Sequence, residues 1–269
     1  MRTVIRCGAM VCAIILGACS QDSTGTQATP LLDADVAMVV ADNTGETVDV
    51  MREPVLFPVL TPAFSAGFGD FNPSVNCPYN STTKRLECPP VSRDGGKFTI
   101  TRSYAFWDAS DVSQDHFDAL LTAKANIQVH ASGERDLPNW SATVDRTRDM
   151  TATGLAGDET ERTWNGTGTN HITRSRHTDN GQARSYDLDC NSTVTDVVVP
   201  VPRGADRFPI SGSITHTCTI TFVGGPKDGQ SITRTATVTF NGSESVRLTI
   251  NGHTFDLDLR TRHRGEHGG

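Results

Sequence analysis

From about Val75 onward, apolar and polar positions alternate with a period of two, the mark of strands that bury one face and wet the other. Phe98 and Ile100 share a face, with Arg102 and Tyr104 in register. Ala123, Ala125, Ile127 and Val129 alternate with Lys124, Asn126, Gln128 and His130, and Trp140, Ala142 and Val144 with Ser141, Thr143 and Asp145. Further along, Ile214, His216, Cys218, Ile220 and Phe222 face one way, while Thr215, Thr217, Thr219 and Thr221 face the other. The segment Ile232 to Phe240 repeats this, with Thr233, Thr235, Thr237 and Thr239 opposite. A row of β-branched Thr suits a solvated sheet face, where it pairs well across strands.

Turn residues fall between these runs. Gly224-Gly225-Pro226-Lys227-Asp228-Gly229, Asn241-Gly242 and Asn251-Gly252 each separate two alternating segments, and short turns of this kind join antiparallel neighbours. The pattern predicts an all-β domain over residues 75–261: an antiparallel meander of about nine strands, with a short helix at Ser113 to Leu121. Its long edges must be bent or closed, so a curved sheet, a sandwich or an open barrel all satisfy the pattern. No motif repeats at a fixed spacing, which argues against a solenoid or propeller.

Upstream, residues 31–74 read as an irregular, partly helical segment. Leu31 to Met51 can form one or two short helices with Asp33 and Asn43 as caps, and Pro54, Pro58 and Pro62 forbid a long continuation. Ala63 to Gly69 looks like an extended connector. Residues 19–30 are small and polar, a flexible tether with an r.m.s. reach of roughly 18 Å.

Residues 1–18 have the form of an export signal. Arg2 and Arg6 precede an apolar run from Cys7 to Leu16, and no acidic residue occurs before Asp22. A helix of that length covers roughly 15 Å, too short for a ~30 Å hydrocarbon core. The run ends Leu16-Gly17-Ala18-Cys19, which resembles the lipobox of bacterial lipoprotein precursors. The resemblance implies a diacylglyceryl group on the Cys19 thiol, cleavage before it, and attachment to a membrane through the lipid. It also implies delivery to the outer membrane in a two-membrane bacterium, because Ser20, not an Asp, follows Cys19. An ordinary secretory signal cut after Ala18 is the alternative. Beyond the lipobox, CPYNSTTKRLECPP and the closing hairpins are loosely similar to uncharacterised envelope lipoproteins, a likeness that carries no activity.

The cysteine count fits an oxidising compartment. Of seven, Cys7, Cys12 and Cys19 belong to the signal and anchor, leaving the even set Cys77, Cys88, Cys190 and Cys218. Cys190 shares parity with Tyr186, Leu188 and Val194, and Cys218 with Ile214, Ile220 and Phe222, which predicts a disulfide between neighbouring strands. Cys77 and Cys88 flank Pro78 to Thr82 and predict a staple near a hairpin tip. No Cys-x-x-Cys spacing supports a redox or zinc pair.

Composition narrows the function classes. The 24 basic residues less the two in the signal, against 31 acidic ones, give a net −9, which argues against nucleic acid and against adhesion to anionic lipid by charge. No nucleophile motif, phosphate loop, His-Glu-x-x-His or compact Cys/His cluster occurs after the signal, so no catalytic residue, metal or cofactor is assigned. His171 and His177 share a strand face but lie ~20 Å apart, and His263, Glu266 and His267 belong to a tail, residues 262–269, that reads as unstructured. Asp187 and Asp189, and likewise Asp256 and Asp258, sit ~6.6 Å apart on one strand face, a spacing a glycosidase could use. Acids on a wet strand face are far commoner. His216 and Arg234 have core-face parity and mark a candidate lined cavity or a sheet edge.

The function expected is therefore a membrane-tethered, non-enzymatic β domain that plays a structural role or binds a protein or an apolar ligand. A secreted hydrolase acting on envelope glycan or peptide is the rival. An apolar cavity beneath Phe222, Phe240 and Leu248 favours a carrier; converging carboxylates around Asp187 or Asp256 favour the hydrolase.

Overall fold

The computed structural model describes residues 77–118, 120–137, 140–155, 159–177, 183–201, 208–224 and 227–259, together with eleven positions between 36 and 51. The expected signal, lipobox, tether and C-terminal tail, with Asp33, the prolines after Met51 and the connector at 63–69, lie outside the described residues. The expected all-β meander is present. Twelve strands form one antiparallel sheet: β1 (Tyr79–Asn80), β2 (Arg85–Arg93), β3 (Phe98–Asp108), β4 (Ser113–Gln114), β5 (Thr122–Leu137), β6 (Trp140–Thr153), β7 (Glu161–His177), β8 (Ala183–Pro200), β9 (Ser211–Val223), β10 (Ser231–Thr239), β11 (Ser245–Ile250) and β12 (His253–Asp258). Each long strand pairs with the next in sequence, and only the two-residue β4 lies off the path, against β3. β1 and β12 are the outermost strands and do not pair, so the sheet is open, neither a sandwich nor a closed barrel.

One face of this sheet carries the core. Tyr104, Ile127, Met150, Val194, Ile214, Val238 and Leu248 form one register row from β3 to β11. All of them are buried in a single cluster that also holds Val36, Val39, Val40, Val48 and Met51 of the N-terminal helix. The sheet thus curls around its own apolar face, with the helix against that face. The opposite face is wet, and its Thr rows pair across strands as expected: Thr215 with Thr237, Thr219 with Thr233, and Thr221 with Ser231 are hydrogen-bonded pairs.

Turn chemistry holds the hairpins. Asn251 and Gly252 both have positive φ (50° and 85°), as a two-residue type I′ turn demands. A bulge in β8 follows Thr195, where Asp196 takes φ 47° and its N–H donates to the Asn165 side-chain oxygen. The extra residue flips the parity, so that Val197 and Val199 continue the buried face that Val194 leaves.

Two local expectations are corrected. The described residues of Ser113 to Leu121 are not helical: Ser113 and Gln114 pair with Trp107 and Phe106. The Asp118 carboxylate then accepts the N–H groups of Leu120 and Leu121 and builds a side-chain turn that competes with a helix. Asn43 does not cap a helix but lies within one, where its carbonyl accepts the Thr47 hydroxyl (2.8 Å).

Both predicted disulfides are present. Cys77–Cys88 closes the β1–β2 hairpin, and Cys190–Cys218 joins directly opposed residues of β8 and β9. The second bridge closes a loop of 28 residues in the middle of the sheet. Replacing both of its cysteines with Ala is expected to lower unfolding free energy by roughly 3–4 kcal/mol in urea titration, from loop-closure entropy. A loss below about 1 kcal/mol would contradict that accounting.

Candidate functional site

The most unusual chemistry lies on the buried face, in the middle of the sheet. A single register row crosses nine strands: Cys88, Arg102, Val129, Arg148, Gly168, Ser192, His216, Ala236 and Ile250. The row beside it runs Ile100, Ala131, Arg146, Asn170, Cys190, Cys218 and Arg234. Together these two rows hold four arginines and a histidine and no acidic residue. Apolar rows flank them on both sides, one through Tyr104 and Leu248, the other through Ile172, Leu188, Ile220 and Ile232.

Arg148 is the centre of this band. It is only 4% exposed. Its Nε donates to the Thr47 hydroxyl of the helix (3.0 Å), and its Nη1 to the backbone carbonyls of Thr147 (2.6 Å) and Thr169 (3.3 Å). Among the described residues its Nη2 has no acceptor and no carboxylate neutralises the charge. Burial pushes its pKa down to about 10, so it remains a cation at neutral pH. An unpaired buried charge of this kind costs several kcal/mol.

Gly168 makes this placement possible. A Cβ there would stand 2.8 Å from the Thr147 carbonyl oxygen, 2.9 Å from Arg148 Nη1 and 2.9 Å from Ser192 Oγ. Its backbone φ is ordinary, so the requirement is steric: the guanidinium occupies the space a side chain would take. Ser192 donates to the Gly168 carbonyl (3.2 Å) and brings a hydroxyl to the same spot.

His216, across from Ser192, is fully buried. Its Nε2 is hydrogen-bonded to the Thr44 hydroxyl (3.0 Å), and its Nδ1 has no partner. Its pKa is pushed down to about 3, first by burial and then by the charge of Arg148. The helix therefore meets the polar band through two hydroxyls, Thr44 on His216 and Thr47 on Arg148.

Of the two residues expected to line a cavity, His216 is in this band and Arg234 is at its margin. Arg234 stands opposite Cys218, half-buried, with Nη1 donating to the Thr233 carbonyl. Arg148 was not anticipated, although Met150 and Ala152 extend the parity of Ala142 and Val144 straight through Arg146 and Arg148. Phe240 and Leu248 are buried in the core, while Phe222 is half-buried and packs edge-on against Tyr186.

The acidic pairs lie on the outer face. Asp187 accepts the Thr173 hydroxyl (2.7 Å), Asp189 pairs with His171 (2.7 Å), and Asp256 stands opposite Arg247. The side chain of His177 is outside the described set. No group of three potential metal ligands occurs among the described residues. None of the described helical residues belongs to a helix long and apolar enough to cross a membrane. No family model matches this chain, and neither curated proteins nor solved structures give a significant match.

The His216 pKa has a consequence for stability. The unfolded side chain titrates near 6.5, and the folded one near 3, so the unfolded chain binds more protons between these values. The contribution of neutral His216 is complete above pH 6.5 and is lost as pH falls toward 3. The stability difference between the parent protein and His216→Gln is expected to shift by up to roughly 3 kcal/mol between pH 7 and pH 4. A difference that stays constant over that range would mean that His216 is not held neutral.

Proposed function

We propose that this protein is a membrane-tethered envelope lipoprotein that binds an apolar or amphiphilic ligand on the inner face of its curved sheet. The observation that carries the reading is the cover of that face. A row of buried apolar residues runs from β3 to β11, and the one described helix packed on it is intrinsically weak. Val36, Val39, Val40, Thr44, Thr47 and Val48 are β-branched, and Gly45 sits among them, all poor helix formers. A helix of this length and composition does not stand alone in water. It is held by the sheet, and whatever binds the sheet in its place releases it.

The anchor is the Cys19 thiol, with the polar residues 20–30 as tether. Lipid attachment explains how a chain with a net negative charge stays at a membrane, since several acyl chains on one residue hold firmly where charge cannot. The engaged side chains of Asp187 and Asp189 on the outer face give the hydrolase reading no comparable support.

Two measurements on one variant test the proposal. In cells fed radiolabelled palmitate, Cys19→Ala is expected to lose the label and to leave the membrane fraction; unchanged labelling would sink the anchor. Mass spectrometry of the same purified variant is expected to find a co-purifying amphiphile, and the protein to bind the fluorescent probe N-phenyl-1-naphthylamine. Absence of both would remove the ligand-binding function while leaving the anchor intact.

A further inference from the structure

We infer that the ligand carries an anionic oxyacid head, a carboxylate or a phosphate ester on an apolar chain, and that Arg148 receives that head when the N-terminal helix gives way. The inference rests on the binding function proposed above and names the chemistry of its ligand. Arg148 is buried and charged, with three of its contacts made to neutral oxygens and its Nη2 unmatched. A guanidinium in this state is complementary to two oxygens of one anion, which take parallel N–H donors and neutralise the charge together. Ser192 adds a hydroxyl beside the guanidinium, and His216 a ring nitrogen that has no partner.

The rest of the ligand follows from the neighbouring rows. On either side of the polar band the sheet presents apolar side chains only a strand residue or two away, Ile127, Met150 and Val194 on one flank, Ile172, Leu188 and Ile220 on the other. A molecule that places an anion on Arg148 must lay its remainder on one of these. An amphiphile with a single acidic head and a hydrocarbon chain fits both surfaces at once. A free inorganic anion fits only the first.

The helix already imitates such a ligand. Its valines cover the apolar rows, and the Thr47 hydroxyl occupies the Arg148 Nε while also donating to the Asn43 carbonyl. It supplies a neutral oxygen where an anion would bind better, so it is a cover that an acidic amphiphile can replace. Exchange of the helix for the ligand trades an uncompensated charge for a paired one.

The experiment uses the full chain with Cys19→Ala and four probes at pH 8: oleate, methyl oleate, oleyl phosphate and inorganic phosphate, each followed by titration calorimetry. Oleate and oleyl phosphate are expected to bind roughly ten- to a hundredfold tighter than methyl oleate, the worth of a hydrogen-bonded buried charge. Inorganic phosphate is expected to bind far more weakly than oleyl phosphate. Arg148→Met is expected to abolish the preference and bring oleate down to the level of the methyl ester measured on the same variant. Equal affinity for oleate and methyl oleate in the Cys19→Ala protein overturns the inference and leaves the binding function standing. Inorganic phosphate as tight as oleyl phosphate overturns the amphiphile. If none of the oleyl compounds binds, the binding function itself falls. A second variant avoids any dependence on how Arg148→Met folds: Thr47→Val removes the helix's bond to Arg148 and is expected to tighten oleate binding. Unchanged or weaker binding contradicts the exchange.

Discussion

A twelve-stranded antiparallel sheet with one apolar face must hide that face from water, and this chain has one described helix of at most a few turns to put against it. The sheet therefore curls, so that residues as far apart in sequence as Leu86 and Leu257 enter a single cluster. On the central strands β6 to β9 inward side chains are buried whether or not they are apolar, as Arg146, Arg148, Asn170, Ser192 and His216 are. The middle of the polar band is thereby interior, while Arg102 and Arg234 are half-buried. Arg148 is held by backbone carbonyls, a helix hydroxyl and a glycine-sized gap, none of which brings a negative charge, and Arg146 donates to the Asn170 side-chain oxygen.

Burial of Arg148 links the fold to its chemistry. In a protein selected for stability alone, the cheaper solution is an apolar residue of similar volume, since buried charges repay their desolvation poorly even when paired. Here the charge is kept, Gly168 is opened to seat it, and the helix bonds it with a neutral hydroxyl. The same logic applies to His216, which is neutral because it is buried beside that charge. Both residues meet the helix through Thr, so the stability of the cover and the electrostatics of the band are one problem. The Cys190–Cys218 bridge lies in the adjacent row and ties β8 to β9 directly beside His216. The floor of the site is thereby cross-linked, while the helix is joined to it by packing and hydrogen bonds.

Much of this was legible in the sequence, because a period of two reports strand faces directly. The Thr rows of β9 and β10, the inward face of Ile214 to Phe222 and the Cys190–Cys218 pair all follow from parity alone. What escaped is physically informative. The helix within Leu31 to Met51 did not escape, although its Val and Thr carry only a weak helical signal and tertiary packing decides its state. The turn at Asp118 won over a helix because its carboxylate reaches two backbone N–H groups, a choice that a helical pattern does not reveal. Arg146 and Arg148 break the apolar alternation of β6, and β7 offers Gly166, Gly168 and Asn170 where apolar residues would mark its inner face. A polar band interrupts the very pattern by which strands are read, and only the register of the neighbouring strands shows that its residues point inward. The expectation of a lipid anchor on Cys19 rests on Leu16 to Cys19 and the export signal before them, which lie outside the described residues.

The central claim is that the helix over the polar band is an exchangeable cover and not a permanent part of the core. Native-state amide hydrogen exchange with peptide-level mass spectrometry measures this directly. The amides of the described helical positions between Val36 and Met51 are predicted to exchange through an opening that costs far less free energy than the opening of β5 to β9. Protection in the helix equal to that of those central strands would contradict the account.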